Sequence, residues 1–465
     1  MTAELGWVMV VLLPLIAAGA AIEMPARFAR PMAIGIAMVY SLGAFLLPNV
    51  HRLPVVAGFR VGAIDVGLVL SFDLASAALI ALFAGATAAI QIADPSGSES
   101  GRLALLGSGV LLALGGSPVT LFLGWQAVGV AVAFLVGRID PRVGQETFIV
   151  SRIGDLGFLL ALVLLLQPTP ATTAAGVLLV LPLLWSGAQL PLSGWLRRLA
   201  DRDPPTLALV ATTVPAAGIF LWGRFDVRPL AESVAAGLGA LTACVSASAG
   251  TVAKDMSRVA AATLISAIGL VLLTAAPFGW ALTFTAAHGL LILIANRGET
   301  VRGPGLVILV LGLSLLPFFL PAPPTRLAIA AWLVGSTLNA VALALGVWRT
   351  LRPGRLPAAN PWLRERLGNH WHLDSLIDVT VVQPVGWLSR TVVYRTVDQT
   401  IVDGTVSAIG RLGAGLGFIP QLFHSGNIQR YLGIFVIGVA VLLLGWFLPS
   451  GDVASKPPAV EESVP

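Results

Sequence analysis

The stretch GGSPVTLFLGWQAVGVAVAFLVG, residues 115–137, decides the fold class. Gly115, Gly116 and Pro118 cannot extend a preceding helix, so the chain turns there. From Val119 to Gly137 no residue carries a charge. At about 1.5 Å per residue, such a helix reaches across a hydrocarbon layer roughly 30 Å thick. The pattern recurs on both sides. Similar apolar runs are read at 5–22, 31–48, 68–92, 103–116, 118–137, 147–166, 174–193, 205–222, 234–251, 257–276, 278–296, 304–320 and 326–348, with another at 430–448. The expected fold is therefore all-α: a polytopic membrane protein of about fourteen transmembrane helices.

Composition points the same way. Of 465 residues 57% are hydrophobic and only 11% charged, and the mean hydropathy is +0.90. An ordinary soluble domain carries about 25% charged residues. So few charges cannot clothe a water-soluble body of this size, and the surrounding solvent must be largely lipid. The isoelectric point near 10.1 raises nucleic acid as a partner. The basic residues are scattered through short loops rather than gathered in a stripe, which excludes it. The one cysteine, Cys244, forbids an intrachain disulfide or a thiolate metal cluster. It lies among Ala, Ser and Thr and reads as a small packing residue. Met1 to Gly6 lacks a basic n-region, and Trp7 to Ile22 reads as a first span rather than a cleaved signal.

The loops predict an orientation. With the N-terminus outside, the inward loops carry Arg27, Arg30, Arg102, Arg138, Arg142, Arg152, Arg197, Arg198, Arg202, Lys254, Arg258, Arg297 and Arg302. The outward loops carry only Arg52, Arg60, Arg224, Arg228 and Arg326. The positive-inside bias places residues 349–372, with five further arginines, in the cytoplasm. The chain is divided accordingly. Residues 1–68 form an N-terminal helix pair and loop, 69–348 the transmembrane bundle, and 349–372 a cytoplasmic linker. Residues 373–425 are too polar to span, yet apolar residues recur between Asp374, Asp378, Arg390, Arg395, Asp398 and Asp403. They read as an amphipathic helix lying along the membrane surface. Residues 426–449 form an anchoring helix and 450–465 a disordered tail. Pro191, inside the seventh run, predicts a broken helix, which a membrane tolerates where backbone lines a cavity.

Four segments resemble subunit L of bacterial NADH-quinone oxidoreductase, in the family shared with Mrp-type cation/proton antiporters. They are FLGWQAVGVAVAFLVG at 122–137, TFIVSRIGDLGFLLAL at 147–162, SGAQLPLSGWL at 186–196, and NHWHLDSLIDVTVVQPVGWLSR at 369–390. The last is followed by VDQTIVDGTV and SGNIQRYLGIFVIGVAVLLL, similar to that family's lateral helix and final anchor. Weaker echoes are SFDLASA at 71–77, AKDMSRVAAATLISAIG at 253–269 and the helix of His288. The resemblance implies a bacterial inner (plasma) membrane, a membrane-arm subunit of a complex I-like machine with other membrane subunits as partners, and no cofactor or catalytic residue in this chain. It also implies about sixteen helices, so one pair is missing near 300–330.

In that family protons are passed by a glutamate, lysines and histidines linked by water. Here the glutamate position is Gln126, the lysine before S-A-Q is Ser186, and the histidine after P-L is Ser193. The whole chain has two lysines, Lys254 and Lys456. Arginine cannot stand in as a relay, because it does not deprotonate in proteins. The proton-path candidates are therefore Asp73, Gln126, Arg152, Asp155, Ser186, Lys254, Asp255 and His288. Each has a structural alternative. Arg152 and Asp155, three apart, read as a static pair on one helix face. Lys254, Asp255 and Arg258 read as a loop or cap, Asp73 as a helix cap, and His288 as a hydrogen-bonded core histidine. His370 and His372, two apart, would point to different sides of a helix and form no metal site. The glycines at 410–417 lack the strand–turn–helix setting of a nucleotide fingerprint. A cation/proton antiporter, an inorganic-carbon uptake subunit and a purely structural scaffold are the alternative functions.

Overall fold

The structure, a computed structural model, describes residues 2–46, 57–61, 64–95, 97–167, 171–225, 229–296, 304–352, 360–368 and 370–391, with isolated positions beyond 402. Its contacts divide the chain into Met1–Val385 and Gly386–Pro465.

The first unit opens with α1 (Thr2–Glu23) and α2 (Ala26–Gly43), followed by an antiparallel hairpin, β1 (Ala57–Val61) and β2 (Ile64–Leu68), with Ala57 opposite Leu68 and Val61 opposite Ile64. Then come α3 (Leu74–Ala93), α4 (Glu99–Ala113), α5 (Pro118–Gly137) and α6 (Pro141–Leu165). The interrupted segment is α7 (Thr172–Leu178), α8 (Val180–Ser186) and α9 (Gly194–Leu199). It is followed by α10 (Pro204–Trp222), α11 (Pro229–Val252), α12 (Met256–Leu273), α13 (Phe278–Ala295), α14 (Pro304–Leu315) and α15 (Arg326–Leu351). Beyond α15 lie α16 (Pro361–Gly368), α17 (Leu373–Ile377) and α18 (Gln383–Leu388), the last crossing the unit boundary.

The protein is a polytopic helical membrane protein, as its sequence predicts. Eight helices among the described residues are long and apolar enough to cross a membrane, and three shorter apolar helices accompany them. The starts are set by local chemistry. Asp73, Ser98, Ser117, Asp140, Asp203, Asp255 and Thr325 each accept a hydrogen bond from an amide in the first turn that follows. This satisfies donors that lipid could not. Pro118, Pro141 and Pro204 occupy the first helical positions, where the missing N–H costs nothing.

Two sequence expectations shift. The third span begins at Leu74, not at 68, because Ile64–Leu68 pairs as a strand and Asp73 caps the helix. The hairpin is tied down by the α4–α5 turn: Ser117 Oγ donates to the Gly67 carbonyl at 2.9 Å and the Gly116 amide to the Val69 carbonyl at 2.8 Å. The seventh span ends at Ser186, and residues 187–193 are non-helical before α9 resumes. The predicted lateral helix starts at Leu373 and runs in helical turns to residue 391, with five π-helical residues, Asp378–Val382. The rest of it, most of the anchoring helix and the tail lie outside the described residues.

The core sits around α10 and α12, whose spans are 89% and 94% buried, whereas α15 is 28% buried and faces outward. Small residues allow the helices to approach. A Cβ on Gly144 would lie 2.3 Å from Gly137 Cα across the α5–α6 crossing, and one on Gly218 would lie 1.8 Å from Ser186 Oγ, so α10 sits directly against α8.

Candidate functional site

Three of the eight sequence-selected residues meet. Gln126 on α5 and Arg152 on α6 are joined by a hydrogen bond from Arg152 Nη1 to Gln126 Oε1 at 2.7 Å. Arg152 Nη2 also pairs with Asp155 Oδ2 at 2.9 Å. Phe148 lies under the guanidinium, 4.5 Å from ring centroid to carbon. Asp155 is 5% exposed, and the Trp125 and Gln126 side chains lie beside its carboxylate together with Arg152. Arg152 therefore carries the compensation for a buried carboxylate, while the neighbouring position is a neutral amide. This arrangement holds one buried ion pair beside a neutral amide.

The other candidates lie apart from this cluster. Asp73 caps α3 and is clasped by Arg224, whose Nη1 and Nη2 reach its two oxygens at 2.5 and 2.9 Å. Burial would raise the Asp73 carboxyl, but the Arg224 guanidinium and the Ser76 amide outweigh it and hold it down at about 2. Asp73 is thus a permanently ionised clamp between the start of α3 and the end of α10. Ser186 is fully buried, and its hydroxyl donates to the Leu183 carbonyl of its own helix. Asp255 caps α12 and also meets Arg258, while Lys254 is exposed beside it. His288, 1% exposed on α13, donates from Nδ1 to the Phe284 carbonyl at 2.7 Å, and its Nε2 has no protein partner. Cys244 is half-buried, with Sγ 3.7 Å from the Ala331 carbonyl.

The broken segment builds the second polar region. Gln189 donates to the Gly187 and Ile265 carbonyls at 2.7 and 3.1 Å, and the Leu190 amide donates to Thr242 Oγ1 at 3.1 Å. These bonds satisfy backbone that the interruption frees. An aromatic column joins this region to the α5 side. Trp125 meets Trp185 edge-on at 5.2 Å, and Trp185 stacks on Trp195 at 5.9 Å. The tryptophans follow the GW and LLWSG strings in the sequence and were legible there only as hydrophobic residues.

His370 is the residue that sequence reasoning placed wrongly. The 370–372 segment is not a regular helix: His370, Trp371 and His372 have φ of 49°, 56° and 62°. This left-handed run turns His370 inward until it is fully buried. Its Nδ1 lies 3.0 Å from Ser193 Oγ of the break and its Nε2 3.3 Å from Ser246 Oγ on α11. His372, by contrast, is only partly buried. No cluster of three or more metal-ligating side chains exists among the described residues.

Burial, followed by the charge of Arg197, holds the His370 imidazole well below its ordinary range. An unfolded histidine binds its proton near pH 6.5. Below that pH the unfolded chain takes up a proton that the folded chain refuses, so stability falls as pH drops through about 6.5 and gains nothing above it. Thermal melts of the wild type from pH 8 to 5 are expected to decline, and His370→Gln to decline less. Parallel curves would show that His370 does not titrate on unfolding.

The fold is similar to that of chains from solved respiratory and Mrp complexes. A chain of the membrane-bound sulfane sulfur reductase, an archaeal respiratory membrane complex, has TM-score 0.62 at 14% identity and covers 82% of this chain and 95% of its own. A chain of respiratory complex I from Thermus thermophilus has TM-score 0.61 at 18% identity, covering 81% and 98%. A chain of the Mrp complex from Dietzia sp. DQ12-45-1b has TM-score 0.54 at 18% identity, covering 99% and 64%. In sequence the protein is similar to NADH-quinone oxidoreductase subunit L. The Mycobacterium tuberculosis protein (strain CDC 1551 / Oshkosh) is 28% identical over 268 residues, 49% of this chain and 42% of that protein. NADH-ubiquinone oxidoreductase chain 5 of Metridium senile is 29% identical over 187 residues, 34% and 31% of the two chains. The matched stretch thus spans less than half the length of these curated relatives. No protein-family profile matches the chain.

Proposed function

We propose that this chain is a membrane-arm subunit of a complex I-like NADH-quinone oxidoreductase, linked to proton translocation through its neighbours while its own path is depleted. One observation carries this reading: the polar interior is neutral at the positions where the resembled family keeps a relay's glutamate, lysine and histidine, although Asp155, His288 and His370 are buried elsewhere in it. Gln126, Ser186, Gln189 and Ser193 line it, Arg152 is locked to Asp155, and Lys254 stands exposed at a helix end. A buried lysine exchanges its proton because desolvation lowers its affinity, whereas an arginine keeps it.

Two further features support the reading. Helical turns lead away from His370 with Leu376, Val379 and Val385 exposed, an apolar surface suited to neighbouring membrane subunits or lipid. Arg197, Arg198, Lys254, Arg258 and Arg364 gather around one pocket, which fits a cytoplasmic end for the bundle and an outside N-terminus. The bacterial inner membrane is the proposed location.

Purification in mild detergent should recover the chain together with other antiporter-like subunits, and recovery as a lone monomer would refute the assignment. In the reconstituted assembly His288→Ala should leave the proton-to-electron ratio unchanged; a fall would show that the path conducts.

A second reading, a secondary transporter for a cation or inorganic carbon, has its own support. His288 Nε2, Gln189 Oε1, Asn339 Oδ1 and Ser336 Oγ are buried without protein partners. Buried polar atoms are normally satisfied, so each of these would take a bound water or ion. Uptake into vesicles under an imposed gradient, with no quinone present, would favour this reading over the first.

A further inference from the structure

A pocket of about 370 Å³ opens at the end of the bundle between α9, the α11–α12 turn and α16. This is near the lower limit for ligand clefts, roughly 300–1,000 Å³. Its charged lining is one-sided: Arg197, Arg198, Lys254, Arg258 and Arg364 against Asp201. The cations are not equally committed. Arg258 pairs with Asp201 and Asp255, and Arg198 pairs with Glu146. Arg197 donates to the Gly368 carbonyl, which fixes α16 against α9. Lys254 and Arg364 form no ion pair among the described residues, and Arg364 Nε is buried without a hydrogen-bond partner. Arg349 adds a further positive charge within electrostatic reach of Arg364 while donating to the Thr251 and Ala253 carbonyls at 2.8 and 3.0 Å.

Like charges held this close repel unless an anion sits among them. A guanidinium presents a planar fork that matches phosphate oxygens, and an ammonium adds a point charge beside it. The lining residues come from helix ends, the level at which lipid headgroups lie, and basic pockets between transmembrane helices on the cytoplasmic side take anionic headgroups. We propose that this pocket binds a phosphate group, carried by an anionic phospholipid or free in solution, with Lys254 and Arg364 as its principal ligands. The site does not depend on the identity of any partner subunit, and it gives Lys254 a role other than the proton-path one read from the sequence.

The test uses the full chain, delipidated in neutral detergent, with native mass spectrometry after addition of phosphatidylglycerol or phosphatidylcholine. A parallel thermal-shift titration uses inorganic phosphate. Phosphatidylglycerol should be retained in preference to phosphatidylcholine. Each basic contact near the membrane surface contributes on the order of a fivefold preference, so Lys254→Gln with Arg364→Gln should weaken retention about twenty-five-fold. Lys254→Gln alone removes an exposed turn residue outside the core and should cost about fivefold. Arg366→Gln, exposed on the same helix and absent from the lining, should change nothing. Stabilisation by inorganic phosphate that the variants abolish, without lipid preference, assigns the site to a free oxyanion. Equal retention of both lipids with no phosphate shift, or variants that bind as the wild type does, would overturn the proposal.

Discussion

Gly239→Val is expected to destabilise the bundle by about 3 kcal/mol, the upper end of what overpacking costs. A Cβ at Gly239 would lie 2.5 Å from the Gly269 carbonyl oxygen and 2.9 Å from Leu272 Cβ. The contact is reciprocal, since a Cβ on Gly269 would lie 2.6 Å from the Gly239 carbonyl oxygen. Backbone faces backbone, so no side chain can swing aside. Relief requires α11 and α12 to separate, and α12 is the most buried of the eight long apolar helices among the described residues. Separation would also strain the Gln189 bond to Ile265 that closes the broken segment. Gly237, two residues earlier, meets nothing within 4 Å and provides the control. Melting temperatures in detergent, read by size-exclusion chromatography, should fall sharply for Gly239→Val and little for Gly237→Val. Equal values for the two would refute the close approach.

Arg152→Ala is expected to cost about 2–4 kcal/mol, somewhat below the usual range for breaking a buried pair because Arg152 is 35% exposed. The loss comes from Asp155, which keeps a buried carboxylate with no other charged partner among the groups that act on it. Asp155→Asn removes that charge and should cost much less. The double variant should therefore be more stable than Arg152→Ala alone, giving a coupling measurable in a double-mutant cycle. Additive effects would show that the pair is not coupled. Gln126 accepts from Arg152 through its amide oxygen but carries no charge that could replace the guanidinium.

Much of the fold was legible because lipid imposes a simple rule. A segment crossing it needs length, apolarity and an internally bonded backbone, and all three can be read along the chain. The breaks at Gly115–Pro118 and around Pro191 were legible because glycine and proline act locally. The Arg152–Asp155 pair was legible because three residues on a helix bring side chains to one face. The β1–β2 hairpin was missed because its register depends on contacts with the α4–α5 turn, far along the chain. His370 was missed because a helical reading of residues 369–373 splits it from His372. Packing against Ser193 and Ser246, distant in the chain, helps offset the cost of three consecutive left-handed residues.

The sequence by itself determined that this is a polytopic helical membrane protein with a neutral residue at Gln126 and few buried groups able to exchange a proton. These are properties of composition and of spacing within single elements. Only the tertiary structure decided that Asp73 is clasped by Arg224, that His370 enters the core at the broken helix, and that five cations surround one pocket. Each of those pairings joins residues distant in the chain. Short-range chemistry fixes where a helix starts and stops, but which side chains meet depends on how closely the helices pack, and that is set by contacts such as Gly239 with Gly269.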